Sequence, residues 1–145
     1  MTLEISTDDS RLDFDLIHRY LSEDSYWAAG IPRDTLARAL ANSLNFGAYL
    51  DGRQIGFGRM ITDRATFAYL ADVFVVAEHR SEGVAKMLME SVMAHPDLQG
   101  LRRMLLATRD AHTLYARFGF TELGAPSRMM ELHRPEVYQG TTNSR

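Results

Sequence analysis

Apolar residues recur along this chain in two rhythms, one of two residues and one near 3.6, and the changes of rhythm mark out its elements. LEIS at Leu3–Ser6 reads as a short strand, and TDDS at 7–10 offers N-caps before Leu12, Leu16, Ile17, Tyr20 and Leu21, a helical set expected to end near Ser22. Residues 22–31, SEDSYWAAGI, hold turn formers around the only tryptophan, and Pro32 suits the first turn of a second helix with Leu36, Leu40 and Leu44 on one face. A hairpin follows over 46–50 and Arg53–Thr62, because Asp51-Gly52 supplies the positive φ of a tight type I′ turn. Residues 63–66 turn the chain into a long strand at 67–76.

From Gly83 the helical rhythm returns with Val84, Met87, Leu88 and Val92, and it stops before Pro96. RMLLAT at 103–108 reads as a strand, followed by a short helix from about 110 to 118 that Gly119 ends. Residues 120–123 and 128–132 are the last strand candidates, and 135–145 is expected to be a frayed polar tail behind one domain at 1–134. This order is neither strict βαβ alternation nor segregation. It predicts an α/β (α+β mixed sheet) protein with helices on both faces.

Composition narrows the function. A formal net charge of −3, with basic residues scattered, argues against nucleic-acid binding. The chain has no cysteine, which excludes disulfides, thiolate metal sites and a cysteine nucleophile and suits a reducing cytoplasm. No apolar stretch approaches the roughly 20 residues of a membrane span, and the histidines show no metal-ligand spacing. The expectation is a cytoplasmic protein, monomer or homodimer, with no membrane, nucleic-acid or metal partner.

The strongest chemical signal is VFVVAEHRSEGVA at 73–85, where a β-branched run breaks into a polar turn and restarts as a helix. A strand feeding a helix through RSEGVA aims unpaired backbone N–H groups and the positive end of a helix dipole at one point, which suits phosphate. Taken alone, R-x-x-G-x-A is also what a solvated loop looks like, and it lacks the GK[ST] ending of a P-loop. A second signal is LYARFGF at 114–120, where Tyr115 is either an aromatic packing beside Phe118 or a chemical group.

Together the two segments, Val75 through Ala85 and Ala111 through Phe120, resemble the cofactor site of the GNAT superfamily of acyl-CoA-dependent N-acyltransferases: V-x-x-x-x-R-x-x-G-x-[GA] ending a strand, then A-x-x-L-Y-x-x-x-G-F. The element order matches over nearly the whole chain. The resemblance implies a central, mostly antiparallel mixed sheet in which the 67–76 strand splays from RMLLAT, leaving a wedge for the pantetheine arm of acetyl-CoA. Backbone of Val73, Phe74 and Val75 would pair with that arm, and N–H groups of Arg80, Ser81, Glu82, Gly83, Val84 and Ala85 would cradle the pyrophosphate. Ser81 replaces a frequent glycine, which is tolerable if its φ is negative; Glu82 must point its carboxylate away from phosphate; Thr108 stands where many relatives have asparagine.

The same resemblance makes Tyr115 the general acid for the departing thiolate. A phenol of pKa ~10 protonates a thiolate of pKa ~8.5 only uphill, so hydrogen bonding to developing charge is the larger part expected of it. The amine must also lose a proton. Asp72, an acid inside the apolar run YLADVFVV, is the candidate base, directly or through water, and is otherwise a residue marking a bulge or facing solvent. Tyr26 and Trp27 would line the acceptor pocket unless Trp27 only anchors its loop. The resulting reading is acetyl transfer from acetyl-CoA to a primary amine of a small molecule by direct attack in a ternary complex. The rivals are a peptide or protein acetyltransferase and a non-catalytic acyl-CoA-binding sensor.

Overall fold

A computed structural model describes residues 2–139. Five strands form one sheet in sequence order: β1 (Leu3–Ser6), β2 (Leu44–Leu50), β3 (Arg53–Thr62), β4 (Phe67–Val75) and β5 (Arg103–Leu106). The first three pairings are antiparallel and β4–β5 is parallel. The tight turn between β2 and β3 places Asp51 at φ 50° and Gly52 at φ 85°, the left-handed pair that Asp-Gly was expected to supply. A parallel neighbour cannot be reached by a hairpin, so the chain crosses over through α3 (Val84–Ala94).

Each face of the sheet carries its own core. On one side α1 (Phe14–Arg19), the turn that follows it and α2 (Arg33–Ala41) bury Ile17, Leu21, Leu36 and Leu40 against Phe57 and Phe74. On the other, Val84, Leu88, Met89 and Val92 of α3 pack on Phe46, Ile55, Met60 and Leu70, with Tyr115 of α4 (His112–Ala116) at the margin. Gly56 permits the close approach of α3. A Cβ there would meet the Val84 Cγ1 and the Phe74 carbonyl, both at 3.2 Å, so the first turn of α3 is set directly against the end of β4.

Several expectations are corrected. The first helix does not stop at Ser22 but loosens into a π-helical turn, Tyr20–Asp24. Leu44 begins β2 rather than lying on α2, and Met89, not Met87, is the buried methionine of α3. β5 ends at Leu106, two residues early, because the Thr108 hydroxyl accepts the Ala111 N–H and turns the chain toward α4. Residues 120–123 and 128–132 are not strands. Their alternation is short, a 3-10 turn occupies Pro126–Arg128, and strand propensity makes no ladder where the backbone does not align with its neighbour. Met130 and Leu132 are left 96% and 81% exposed beside β5, the last strand of the sheet. In the polar tail Tyr138 is half-buried against the α1–α2 core while its described neighbours are exposed; residues 140–145 lie outside the described part.

Candidate active site

β5 pairs along all four of its residues, but β4 meets it over only the first four of its nine. The parallel register runs from Phe67↔Arg103 to Leu70↔Leu106, after which β4 continues alone to Val75. The divergence starts where β4 carries one extra residue: between Phe57↔Phe74 and Arg59↔Ala71, three steps on β4 oppose two on β3. Asp72 sits in this bulge at φ 59°, a left-handed conformation that asparagine and aspartate tolerate better than other residues. The bulge flips the facing of the strand, so Leu70 before it and Val73 and Val75 after it all serve the α3 core. Because the Val76 N–H reaches β3 at Ile55, alternation aims the N–H and C=O of Val75 away from β3, into the gap. The Arg80 guanidinium meets that carbonyl at 3.0 Å and also donates to the Tyr20 hydroxyl at 2.9 Å.

At the end of the gap the chain makes a 3-10 turn, Ala77–His79, and then a loop with two left-handed residues, Ser81 at φ 68° and Gly83 at φ 81°. Among the described residues the N–H groups of Ser81, Glu82 and Gly83 find no acceptor. Those of Val84 and Ala85, in the first turn of α3, have no intrahelical partner by geometry. The result is a concavity of backbone donors at the positive end of an eleven-residue helix. Arg80 does not contribute as expected, because its own N–H closes the preceding turn on Ala77. The expectation of negative φ at Ser81 is also overturned; a glycine would hold this conformation with less strain.

Tyr115 stands where α4 enters the core beside the gap, 8% exposed, with its ring edge-on to Phe120 at 6.1 Å. Burial, and then the nearby Tyr26 and Asp110, push its pKa above the ordinary tyrosine value, so the hydroxyl keeps its proton at neutral pH. Across the gap, both Asp72 carboxylate oxygens are engaged: one accepts the Trp27 indole N–H at 2.8 Å, the other the Arg59 Nε–H at 2.7 Å. Arg59 also donates to the Ser43 hydroxyl. Tyr26 and Trp27 are 53% and 42% exposed and stack edge-to-face, and the Arg109 guanidinium lies 3.8 Å from the Tyr26 ring centre. The loop after α1 thereby reaches both sides of the gap, Trp27 to β4 and Tyr26 to the segment after β5.

A splayed parallel pair, a donor-lined loop opening the crossover helix, and a buried phenol between them are features that known proteins can be compared with directly. The family model of the acetyltransferase (GNAT) domain matches residues 41–122, over half of the chain. The chain belongs to the GNAT acetyltransferase family. A Gibberella zeae protein named as an acetyltransferase is 36% identical over 135 residues, covering 78% of this chain and 75% of that one. A crystal structure from Xanthomonas campestris pv. campestris, assigned to acetyltransferases of the gnat family, shares 56% identity and a TM-score of 0.93 over 96% of this chain and 98% of that one. A third, an acetyltransferase structure from Deinococcus radiodurans R1, has 23% identity and a TM-score of 0.72 over 94% and 91% of the two chains, and speaks for the fold alone.

Within this GNAT frame, the predicted residues divide by what holds them. Val73 and Val75 flank the open edge, whereas Phe74 turns its ring into the α1–α2 core and pairs its main chain with Phe57. Thr108 spends its hydroxyl on the turn into α4. Trp27 both anchors its loop, through Asp72, and stays half open to solvent. Four residues escaped sequence reasoning: Arg59, Arg109, Tyr20 and His79. Arg59 left a faint signal, a cation inside the buried strand GFGRM, but its partner Asp72 lies thirteen residues away and only β3–β4 pairing unites them. Arg109 and Tyr20 act through contacts between distant segments, which leave no periodic trace, and His79 meets Glu82 only three residues on, in a pairing that no motif marks. Among the described residues no cluster of three or more His, Cys, Asp or Glu could hold a metal, and no helix is long and apolar enough to cross a membrane.

Proposed function

We propose that the protein transfers an acetyl group from acetyl-CoA to a primary amine of a small molecule, by direct attack of the amine on the thioester in a ternary complex. The observation that carries this reading is the conjunction of the β4–β5 gap, the unpaired N–H groups of residues 81–85 at its end and Tyr115 at its side. In this reading the pantetheine arm adds to the open edge at Val75 as an extra strand, and Arg80 exchanges the Val75 carbonyl for the incoming ligand. The pyrophosphate takes the loop donors and the α3 dipole. The Tyr115 hydroxyl, protonated and without a hydrogen bond among the described residues, is available to the sulfur as thiolate charge develops. Its raised pKa favours hydrogen-bond stabilisation over full proton transfer.

Asp72 is a positioning group, and one variant tests whether it also takes the proton. Accepting the amine proton would cost its charge-assisted bond to Arg59, so its main effect is to hold Trp27 and the acceptor-side loop. Asp72→Asn keeps an acceptor for Trp27; a rate whose acidic limb vanishes in that variant assigns the base to Asp72, and an unchanged limb leaves it positional. The Tyr26–Arg109 contact bridges the two loops beside the gap, which favours a compact acceptor over an extended peptide. Such an enzyme, free of cysteine, suits the cytoplasm.

The test combines binding and turnover. Acetyl-CoA at ~100 times its Kd is expected to stabilise the fold by about 2.7 kcal/mol, and thiol release should appear with small amines in a panel that also contains peptides. No thermal shift at saturating acetyl-CoA rules out the reading. Binding without turnover on any amine assigns the protein as an acyl-CoA sensor, and turnover confined to peptides reassigns the acceptor.

A further inference from the structure

The anion loop contains an anion of its own. Glu82 lies between the two left-handed residues, Ser81 and Gly83, in the stretch whose N–H groups are unpaired. A carboxylate is itself a natural ligand for such a concavity, and one held beside it repels a bound diphosphate. The structure shows where this carboxylate goes: its Oε1 is 3.0 Å from Nδ1 of His79, on the 3-10 turn just before the loop. The histidine is the more fixed partner, its side chain 17% exposed against 53% for Glu82, and its backbone N–H is tied to the Val76 carbonyl.

Among the described residues no other side chain bonds Glu82. Arg80, the one basic residue within the loop, points the opposite way, to the Val75 carbonyl and Tyr20. Asp13, Arg19, Asp24, Arg53, Glu78 and Arg80 share the cleft beside the turn, and none of them bonds Glu82.

We propose that His79 is a positioning residue for the donor: by holding the Glu82 carboxylate against the 3-10 turn, it keeps the backbone cradle of residues 81–85 open to the diphosphate of an acyl-CoA. This rests on the acetyl-CoA reading above and assigns a residue to it. With Nδ1 carrying the proton, His79 donates to the carboxylate; without that bond, Glu82 is released toward the cradle. One carboxylate ~5 Å from a doubly charged diphosphate in solvent-like dielectric weakens binding about tenfold.

The experiment measures the Kd of CoA by calorimetry and the kcat/KM of acetyl-CoA and of S-acetylpantetheine, which lacks the diphosphate. His79→Ala is expected to weaken CoA about tenfold and to leave kcat/KM for S-acetylpantetheine within about twofold of wild type. Adding Glu82→Gln to His79→Ala should restore the CoA affinity to within about twofold of wild type. His79→Gln, which keeps a neutral donor, should fall between. Equal losses on both donors, a loss that Glu82→Gln does not rescue, or no loss at all would overturn the role of His79. Wild-type protein that does not bind CoA would instead overturn the cofactor reading itself. Circular dichroism and melting of each variant separate any loss through misfolding.

Discussion

Ser81 and Tyr115 show how much turns on single residues whose backbone or burial the sequence does not display. Ser81 adopts φ 68°, a conformation that costs a residue with a Cβ about 1–2 kcal/mol. Ser81→Gly is therefore expected to stabilise the protein by about 1 kcal/mol or less, because glycine also gains freedom in the unfolded chain; urea unfolding measures it. Tyr115 was legible as a motif position, but its environment was not. Its Phe variant is expected to lower kcat ~10²-fold with little change in acetyl-CoA affinity, and an unchanged kcat would remove it from the chemistry. Since its pKa is raised by burial, the protonated hydroxyl persists to and beyond the ordinary tyrosine range near 10. Rate that depends on that proton is kept as pH rises through neutrality and is lost only above that range. An alkaline fall at lower pH, shared by wild type and Tyr115→Phe, belongs to another group.

At the scale of elements, two acids do different work. Asp72 joins three of them, with its bulge in β4, its partner Arg59 in β3 and its ligand Trp27 in the loop after the π-helical turn. Asp72→Ala strands a guanidinium that is only 16% exposed, so a loss of ~3 kcal/mol is expected in denaturant unfolding. Loss of less than ~1 kcal/mol would mean that Arg59 is served by solvent. Asp63 sits in the turn between β3 and β4 and accepts from the N–H groups of Ala65, Thr66 and Phe67 and from the Thr66 hydroxyl. These bonds hold its pKa well below the usual carboxylate value of 3.8. Its stabilising contribution is complete above that unfolded value and declines as pH falls below it. Asp63→Asn should flatten the acid limb of a stability–pH profile while leaving the neutral plateau lower than wild type.

Across the whole molecule, the sheet ends at β5 among the described residues, while the segment beyond it leaves Met130 and Leu132 in solvent. An open strand edge beside exposed apolar side chains favours contact between copies of the chain. Sedimentation velocity over a concentration series is expected to show association in the wild type that Met130→Ser with Leu132→Ser weakens. Identical, concentration-independent sedimentation of the two proteins would contradict it. The same region is where reading the sequence went furthest astray. Residues 128–132 have strand-like alternation, yet they form no ladder with β5, although that strand's outer edge is unpaired among the described residues.

Elsewhere the sequence reached far on its own. Local chemistry and periodicity sufficed for the Asp51-Gly52 hairpin, for α2 and α3, for β4, and for the pairing of RSEGVA with LYARFGF that points to the family, because each of these is decided within a few residues. What remained to tertiary structure was everything set by contact between distant segments. The extra residue in β4 that opens the gap, the claim of Arg59 and Trp27 on Asp72 and the turning of Arg80 toward Tyr20 are such contacts. The physical reason is that propensity and hydrophobic period act along the chain, whereas bulges, ion pairs and the aim of a carboxylate are settled by which neighbours the folded sheet brings within hydrogen-bonding range.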